Sequence, residues 1–162
     1  SLMLRLRHVL RLLQVSKEPT PTDAQRLLRQ AMPGAELVQA ELSNAVAAPA
    51  YFLVCSREAK TAYLVLPGTR NPADLATDFN AEEEEFGAGL GHRGMVRSAR
   101  WLMEEVSPVL IRLYTQGFRV TVVGHSLGAG CGAFLTLLLR PHISSVFCYG
   151  FGTPPCIDAE LQ

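Results

Sequence analysis

The sequence predicts an α/β fold built on a mostly parallel sheet. Strand-like and helix-like patterns alternate along the chain from residue 61 to residue 149. The strand-like runs are short and apolar, as expected of buried parallel strands, and the helix-like runs carry apolar residues at spacings of three and four. This order favours parallel strands joined by right-handed helical crossovers. The runs are Thr61–Leu66, Gly94–Gln116, Phe118–Val123, Ser126–Arg140 and Ser144–Tyr149.

The first 48 residues are predicted to form an N-terminal helical segment ahead of the main domain, which occupies residues 49–162. In a first helix, over residues 1–13, apolar residues cluster on one side and three arginines lie roughly opposite. A helix of this kind either packs on its own domain or lies on a membrane surface. The sequence leaves both interpretations open.

Cap and turn signals define the rest of the N-terminal segment. Thr22 and Gln25 match a capping box, which predicts a short helix ending near Met32. Pro33-Gly34 is typical of a turn. A strand at residues 36–41 is expected to follow that turn.

A hairpin is predicted where Tyr51–Cys55 and Thr61–Leu66 flank a short polar turn. Asn71-Pro72 then opens a short helix through about Asp78, since proline suits the first turn of a helix. The glycine-rich stretch Gly87–Gly91 is interpreted as a loop before the long helix.

Composition and charge exclude several classes of function. Hydrophobic residues make up 48% of the 162 positions and charged residues 19%, which is typical of a globular domain. Fifteen basic residues balance fifteen acidic ones, whereas a nucleic-acid partner normally requires a basic excess or stripe. We therefore expect no nucleic-acid partner. In addition, no run reaches the ~18 apolar residues of a membrane-spanning helix.

The four cysteines, Cys55, Cys131, Cys148 and Cys156, form no C-x-x-C pair, and three lie in apolar stretches. This pattern favours buried free thiols over a disulfide framework or a metal site. Free thiols are typical of a reducing compartment. We expect an intracellular protein, with association at a membrane left open by the first helix.

The chemistry is predicted to lie at Gly124-His125-Ser126-Leu127-Gly128, where a predicted strand turns directly into a predicted helix. G-x-S-x-G alone is weak evidence, but this context is the one required of a nucleophile elbow. The sharp turn strains the serine backbone and exposes its hydroxyl. The N–H group of Leu127, at the helix N-terminus, then faces the oxyanion formed when Ser126 attacks a carbonyl. The alternative is a buried serine in an ordinary glycine-rich turn.

A second oxyanion donor is expected at Thr69. Gly68-Thr69 follows a predicted strand, and acyl transfer requires a donor from another strand-end loop. Thr69 supplies both an N–H group and a hydroxyl. Taken alone Gly68-Thr69 indicates only a turn, but together with the Ser126 motif it indicates an oxyanion hole.

Several motifs occur in a fixed order along residues 50–155. They are Gly68-Thr69 with Asp74 and Thr77-Asp78, Ala81-Glu82 with Glu84, His92-Arg93-Gly94, Gly124–Gly128 and Cys148–Pro155. The set resembles the class 3 lipases, which are α/β-hydrolases, and most closely their sn-1-specific diacylglycerol lipase branch. The sequence departs from that family at Pro67, where arginine is usual, and at Asn71, where a small hydroxyl residue is common.

The resemblance implies hydrolysis of a carboxylic ester in an acylglycerol lipid, through an acyl-enzyme on Ser126, with Thr69 and Leu127 as oxyanion donors. It also implies a structural carboxylate at Asp78 and a structural role for His92 at the start of the long helix. Contact with a membrane or lipid surface is expected because such a substrate is insoluble. A different ester or thioester hydrolase would share the same elbow.

The Asp and His of a catalytic triad follow the nucleophile in α/β-hydrolases. After Ser126 the chain has one histidine, His142, and one aspartate, Asp158. His142 is expected at the opposite end of the domain, and Asp158 comes too soon after the last strand. We therefore expect the triad Asp and His beyond Gln162, so that the C-terminal part of the hydrolase domain is missing. The alternative is a catalytically inactive module with a lipid- or protein-binding role.

No cofactor is expected. The acidic run Glu82–Glu85 offers the oxygen atoms that Ca²⁺ prefers, but a plain run does not converge on an ion. A solvated acidic face is the predicted role of this run.

Overall fold

A computed structural model describes residues 2–43, 48–68 and 82–158, with the backbone alone for residues 2–5. Eleven helices and strands are described in these ranges. They are α1 (Leu2–Val15), α2 (Pro21–Ala31), β1 (Ala35–Glu41), β2 (Tyr51–Ser56), β3 (Thr61–Leu66), β4 (Glu83–Phe86), β5 (Gly89–His92), α3 (Arg93–Thr115), β6 (Arg119–His125), α4 (Leu127–Leu139) and β7 (Phe147–Phe151).

The central sheet has the strand order β1-β2-β3-β6-β7. β2 runs antiparallel to both of its neighbours, whereas β3, β6 and β7 are parallel to one another. Four of the five strands therefore point the same way, which confirms the predicted α/β fold with a mostly parallel sheet. The predicted hairpin is formed by β2 and β3.

Helices cover both faces of the sheet, because successive strand residues point to opposite sides. Phe52 and Val65 face α1 and α2, while Leu53 and Leu64 face α3 and α4. All four side chains are buried. The two apolar cores hold the helices in place and leave the carboxyl ends of the parallel strands free for a site.

The N-terminal segment joins this architecture directly. β1 pairs with β2 as the edge strand of the sheet, so residues 1–48 contribute a strand as well as two helices. In α1 the side chains of Val9, Leu12, Leu13 and Val15 are buried against the sheet and α2. The first helix thus packs on its own domain.

The cap of α2 differs from the prediction. Thr20 is the N-cap residue and its hydroxyl accepts a hydrogen bond from the N–H group of Asp23 at 3.1 Å. Pro21, which has no N–H group, occupies the first turn, so the helix begins before Thr22. The side chain of Gln25 instead accepts a hydrogen bond from the N–H group of Leu37 at 2.8 Å, which ties α2 to β1.

The last strand also differs from the prediction. β7 begins at Phe147, three residues later than expected, and extends beyond Tyr149 to include Gly150 and Phe151. Ile143 and Val146 are buried in the turn before the strand. Burial of this turn, together with pairing to β6, sets where the strand begins.

The acidic run forms part of a second, two-stranded sheet. β4 pairs with β5, so the predicted loop Gly87–Gly91 is a turn only at Gly87 and Ala88, and its other residues lie in β5. Glu84 accepts hydrogen bonds from Arg97, at 2.9 Å, and from Arg100, both on α3. The hydrogen bond from Arg97 is the main cause that lowers the pKa of Glu84. Glu82, Glu83 and Glu85 are exposed, as predicted for this run.

Some predictions concern residues outside the described ranges. The short helix from Asn71-Pro72 to about Asp78 is one of them.

All four cysteines are free, with Cys55 and Cys131 buried and the other two partly buried. Within the described ranges, none of the helices combines the length and hydropathy needed to cross a membrane.

Gly91 tests how tightly the β4–β5 hairpin is packed on the main domain. A Cβ atom at Gly91 would lie 2.5 Å from the ring of Phe134 and 2.8 Å from a methyl of Val96. Phe134 is fully buried and cannot turn away. We expect Gly91→Ala to lower the free energy of unfolding by about 1–3 kcal/mol, measured by urea denaturation.

Gly94→Ala is the matched control, because a Cβ there would come no closer than 3.4 Å to the His92 ring. This variant should unfold within about 0.5 kcal/mol of the parent protein. Equal stability of the two variants would contradict the packing of the hairpin against Phe134.

Candidate active site

Ser126 is the single residue between β6 and α4, and its backbone is strained. Its φ is 53° and its ψ is −123°, a region that residues with a side chain rarely adopt. Such a conformation costs about 1–3 kcal/mol and persists only where the surroundings enforce it. The predicted sharp turn from strand to helix is therefore present at Ser126.

Three backbone hydrogen bonds hold this turn. The N–H group of Ser126 donates to the carbonyl of Phe151 at 2.8 Å, which ties the elbow to the end of β7. The carbonyl of Ser126 accepts from Ala129 at 2.9 Å and from Gly130 at 3.3 Å, which begins α4. The strained residue is thus fixed both to the neighbouring strand and to the helix.

Two glycines permit the close approach of the chain on either side of Ser126. A Cβ at Gly124 would lie 2.4 Å from the carbonyl oxygen of Gly128. A Cβ at Gly128 would lie 2.4 Å from the carbonyl oxygen of Leu66, at the end of β3. Both clashes involve backbone atoms, so a side chain at either position would force the strand and helix apart.

The end of β3 lies against the elbow. A Cβ at Gly68 would be 2.7 Å from the carbonyl oxygen of His125 and 3.2 Å from Cβ of Ser126. This contact brings the chain leaving β3 next to the serine, which is where the sequence places a second oxyanion donor. Thr69, the residue predicted for that role, lies outside the described residues, as do Asp74 and Asp78.

The serine hydroxyl is available for chemistry. Ser126 is partly exposed, and its side chain makes no capping hydrogen bond to α4. Leu127 is the first residue of α4, and N–H groups in the first turn of a helix have no partner within the helix. A carbonyl oxygen placed beside Ser126 would meet this N–H group and the positive end of the helix dipole.

A cavity of about 660 Å³ opens beside the elbow. It lies between α1 and the carboxyl ends of the three parallel strands β3, β6 and β7. The walls are mostly apolar, and one cation but no carboxylate is among the described residues that form them. The lining residues are Leu10, Leu13, Gln14, Lys17, Pro67, Gly68, His125 and Phe151.

The histidine and aspartate that follow Ser126 in the chain are positioned by other elements. His142 follows the far end of α4, whose 13 residues separate it from Ser126 by roughly 20 Å. The carboxylate of Asp158 accepts a hydrogen bond from the N–H group of Leu90 at 2.8 Å, on β5. His92 immediately precedes α3, and its N–H group donates to the carbonyl of Cys156 at 2.9 Å.

Two contributors to the site were not predicted from the sequence. The carbonyl of Phe151 was missed because the last strand was expected to end at Tyr149. The wall formed by Leu10 and Leu13 was missed because α1 lies far away in sequence. Their place on the apolar side of an amphipathic helix was the one available signal.

The chain is similar in sequence to several known lipases. A family model described as lipase (class 3) matches residues 63–162. Human diacylglycerol lipase-alpha is 29% identical over 148 residues, which cover 82% of this chain and 14% of that protein. Mouse diacylglycerol lipase-beta is 27% identical over 114 residues, which cover 64% of this chain and 17% of that protein. The chain thus spans less than a fifth of the length of these relatives.

Solved structures of fungal lipases share the fold. A Rhizomucor miehei lipase–propeptide complex superposes with a TM-score of 0.81 at 18% identity, covering 98% of this chain and 54% of that one. The lipase of Rhizopus microsporus var. chinensis gives 0.81 at 18% identity, covering 98% and 59%. A triacylglycerol lipase whose catalytic centre is described as a serine protease triad gives 0.78 at 18% identity, covering 98% and 64%. These similarities confirm the α/β-hydrolase fold.

The close approach of β6, α4 and β3 can be tested at its glycines. Gly124→Ala and Gly128→Ala each place a Cβ 2.4 Å from a backbone oxygen, which no side-chain rotation relieves. We expect each variant to lose about 3 kcal/mol or more of unfolding free energy, measured by urea denaturation.

Gly132→Ala is the control on the same helix, one turn after Gly128. Its nearest neighbour would be a methyl of Val122 at 3.0 Å, and alanine favours a helix over glycine by about 1 kcal/mol. A small net change is therefore expected. If all three variants are equally stable, close packing at the elbow is not what holds Ser126.

Proposed function

Because the chain belongs to the class 3 lipase family, we propose that it carries the nucleophile of a serine carboxylic-ester hydrolase that acts on acylglycerol lipids through an acyl-enzyme on Ser126. The observation that carries this proposal is the backbone of Ser126, held at a φ of 53° between β6 and α4. A strained conformation is retained where function requires it. Here it presents a hydroxyl at the first turn of a helix, beside an apolar cavity.

In the proposed reaction the oxygen of Ser126 attacks the ester carbonyl carbon, and a histidine base takes the hydroxyl proton. The carbonyl oxygen becomes an oxyanion, which the N–H groups of Leu127 and Thr69 stabilise. The intermediate then collapses, the alcohol leaves with the proton from the histidine, and water hydrolyses the acyl-enzyme by the same steps.

We place the base and its orienting acid outside the described residues. His142 is separated from Ser126 by the length of α4, and the carboxylate of Asp158 is engaged by the backbone of Leu90. His125 immediately precedes Ser126 and lines the cavity, but in α/β-hydrolases the histidine base follows the nucleophile along the chain. We therefore assign none of these three residues to the triad.

The cavity beside the elbow suits an acyl chain. Its volume of about 660 Å³ lies within the range of pockets that hold small ligands. Leu10, Leu13 and Phe151 form an apolar wall, which would take the hydrocarbon out of water while the ester reaches Ser126. Similarity to the diacylglycerol lipases favours diacylglycerol as the substrate.

Ser126→Ala tests the nucleophile. In protein that includes the proposed base, this variant should lower kcat for a water-soluble short-chain ester by at least about a thousandfold, because the attacking oxygen is gone. The parent protein should also be labelled by a phosphonate ester inhibitor on Ser126, located by peptide mass spectrometry. Diacylglycerol and triacylglycerol hydrolysis are then compared in detergent micelles.

Ser145→Ala is the matched control, since Ser145 is exposed and precedes the opposite, amino end of β7. It should keep the parent rate. Hydrolysis by Ser126→Ala at the rate of the control would contradict the proposal. A folded parent protein that neither hydrolyses esters nor reacts with the inhibitor would favour a non-catalytic binding module.

A further inference from the structure

Helix α1 also presents an exposed face. The exposed residues between Leu6 and Lys17 fall at spacings of three and four, so they form one line along the helix and the turn that follows it. We call this line the outward stripe. Its members are Arg7, Leu10, Arg11, Gln14 and Lys17.

Leu10, the apolar side chain of the outward stripe, differs in exposure from the other apolar side chains described in α1. Leu10 is 49% exposed, whereas Val9, Leu12, Leu13 and Val15 are buried. One exposed leucine is ordinary on a protein surface. Leu10, however, lies between Arg7 and Lys17 along the stripe and also lines the cavity beside the elbow.

The N-terminal region that contains α1 is basic. The first 17 residues contain four of the chain's fifteen lysines and arginines and none of its fifteen acidic residues. The nearest acid along the chain is Glu18. The acidic hairpin strand β4 packs instead on α3, on the opposite face of the sheet. The molecule is neutral overall but basic along α1.

The stripe is joined to the mouth of the cavity. Leu10, Gln14 and Lys17 belong to both, and the opposite rim is formed by Pro67 and Phe151 at the strand ends. Arg11 donates a hydrogen bond to the carbonyl of Ala31 at 2.9 Å, and the buried side chains of α1 hold the helix on the sheet and α2. A surface that contacts the stripe therefore meets a fixed helix at the entrance to the site.

We propose that the outward stripe docks the protein on an anionic lipid surface and places the cavity mouth against it. The cations approach anionic headgroups, and Leu10 enters the boundary between headgroups and acyl chains. This inference rests on the proposed function only in assigning the cavity to the substrate. The two interpretations of the first helix then both hold, because one face packs on the domain and the other contacts lipid.

The test measures binding, not turnover. The full chain is sedimented with vesicles of ether-linked phosphatidylcholine, which no esterase cleaves, either pure or with about a quarter phosphatidylserine. The parent protein should bind the mixed vesicles far better than the pure ones, and binding should weaken as salt is added. Equal binding to both vesicle types, or none to the mixed ones, would overturn the proposal.

Variants locate the contact. Neutralising one cation near an anionic surface should lower affinity about fivefold, so the double variant Arg7→Gln/Lys17→Gln should bind about 25-fold more weakly. Leu10→Ser should bind about tenfold more weakly, since the inserted apolar side chain is lost. Urea denaturation confirms that each variant is folded.

The control carries the same change of charge elsewhere. Arg112→Gln/Arg140→Gln removes two exposed cations from α3 and from the end of α4, in the opposite helical layer. It should bind like the parent protein. If both double variants bind equally well, the outward stripe is not the lipid contact and the proposal fails. It also fails if the stripe variants change only the oligomeric state, because a second copy or another part of the chain then covers α1. Ester hydrolysis by the parent protein is scored separately, so failure of docking and failure of catalysis are distinguishable.

Discussion

The passage from β6 to α4 through one residue is the constraint on which the site depends. At a φ of 53°, Ser126 turns the chain sharply enough that Gly128 meets the end of β3 and Gly124 meets the first turn of α4. Neither contact leaves space for a Cβ. The same turn leaves Ser126 partly exposed at the N-terminus of α4, so the strain and the proposed chemistry arise from one feature.

The order of the strands explains why other residues gather there. β6 lies between β3 and β7, and all three are parallel, so their carboxyl ends meet at one edge of the sheet. Gly68 approaches Ser126 from β3, and the carbonyl of Phe151 binds its N–H group from β7. A strand running the other way in either position would present its amino end and remove that contact. The elbow is thus held by the topology as much as by its own sequence.

The sequence predicted those elements whose cause is local, and it failed where the cause is distant. The strand Thr61–Leu66 and the long helix, α3, follow from the hydrophobic period. β7 was misplaced because its start depends on pairing with β6, and the β4–β5 hairpin was missed because Glu84 is held by arginines of α3. At the site, the turn at Ser126 was predicted from its glycines, while the contribution of Phe151 was not. The role of Thr69 remains a prediction.

Helix α1 shows how one element can serve two environments. Its buried apolar side chains pack against the sheet and α2, so the helix needs no further partner for its own stability. The residues left outside are nevertheless not a random polar surface, because they combine cations with a leucine that reaches the cavity. Because the apolar side chains of α1 are buried against the sheet and α2, the helix cannot turn to hide Leu10. An anionic lipid surface would pair with the cations and accept the leucine, and it would hold the cavity mouth where an insoluble ester is concentrated.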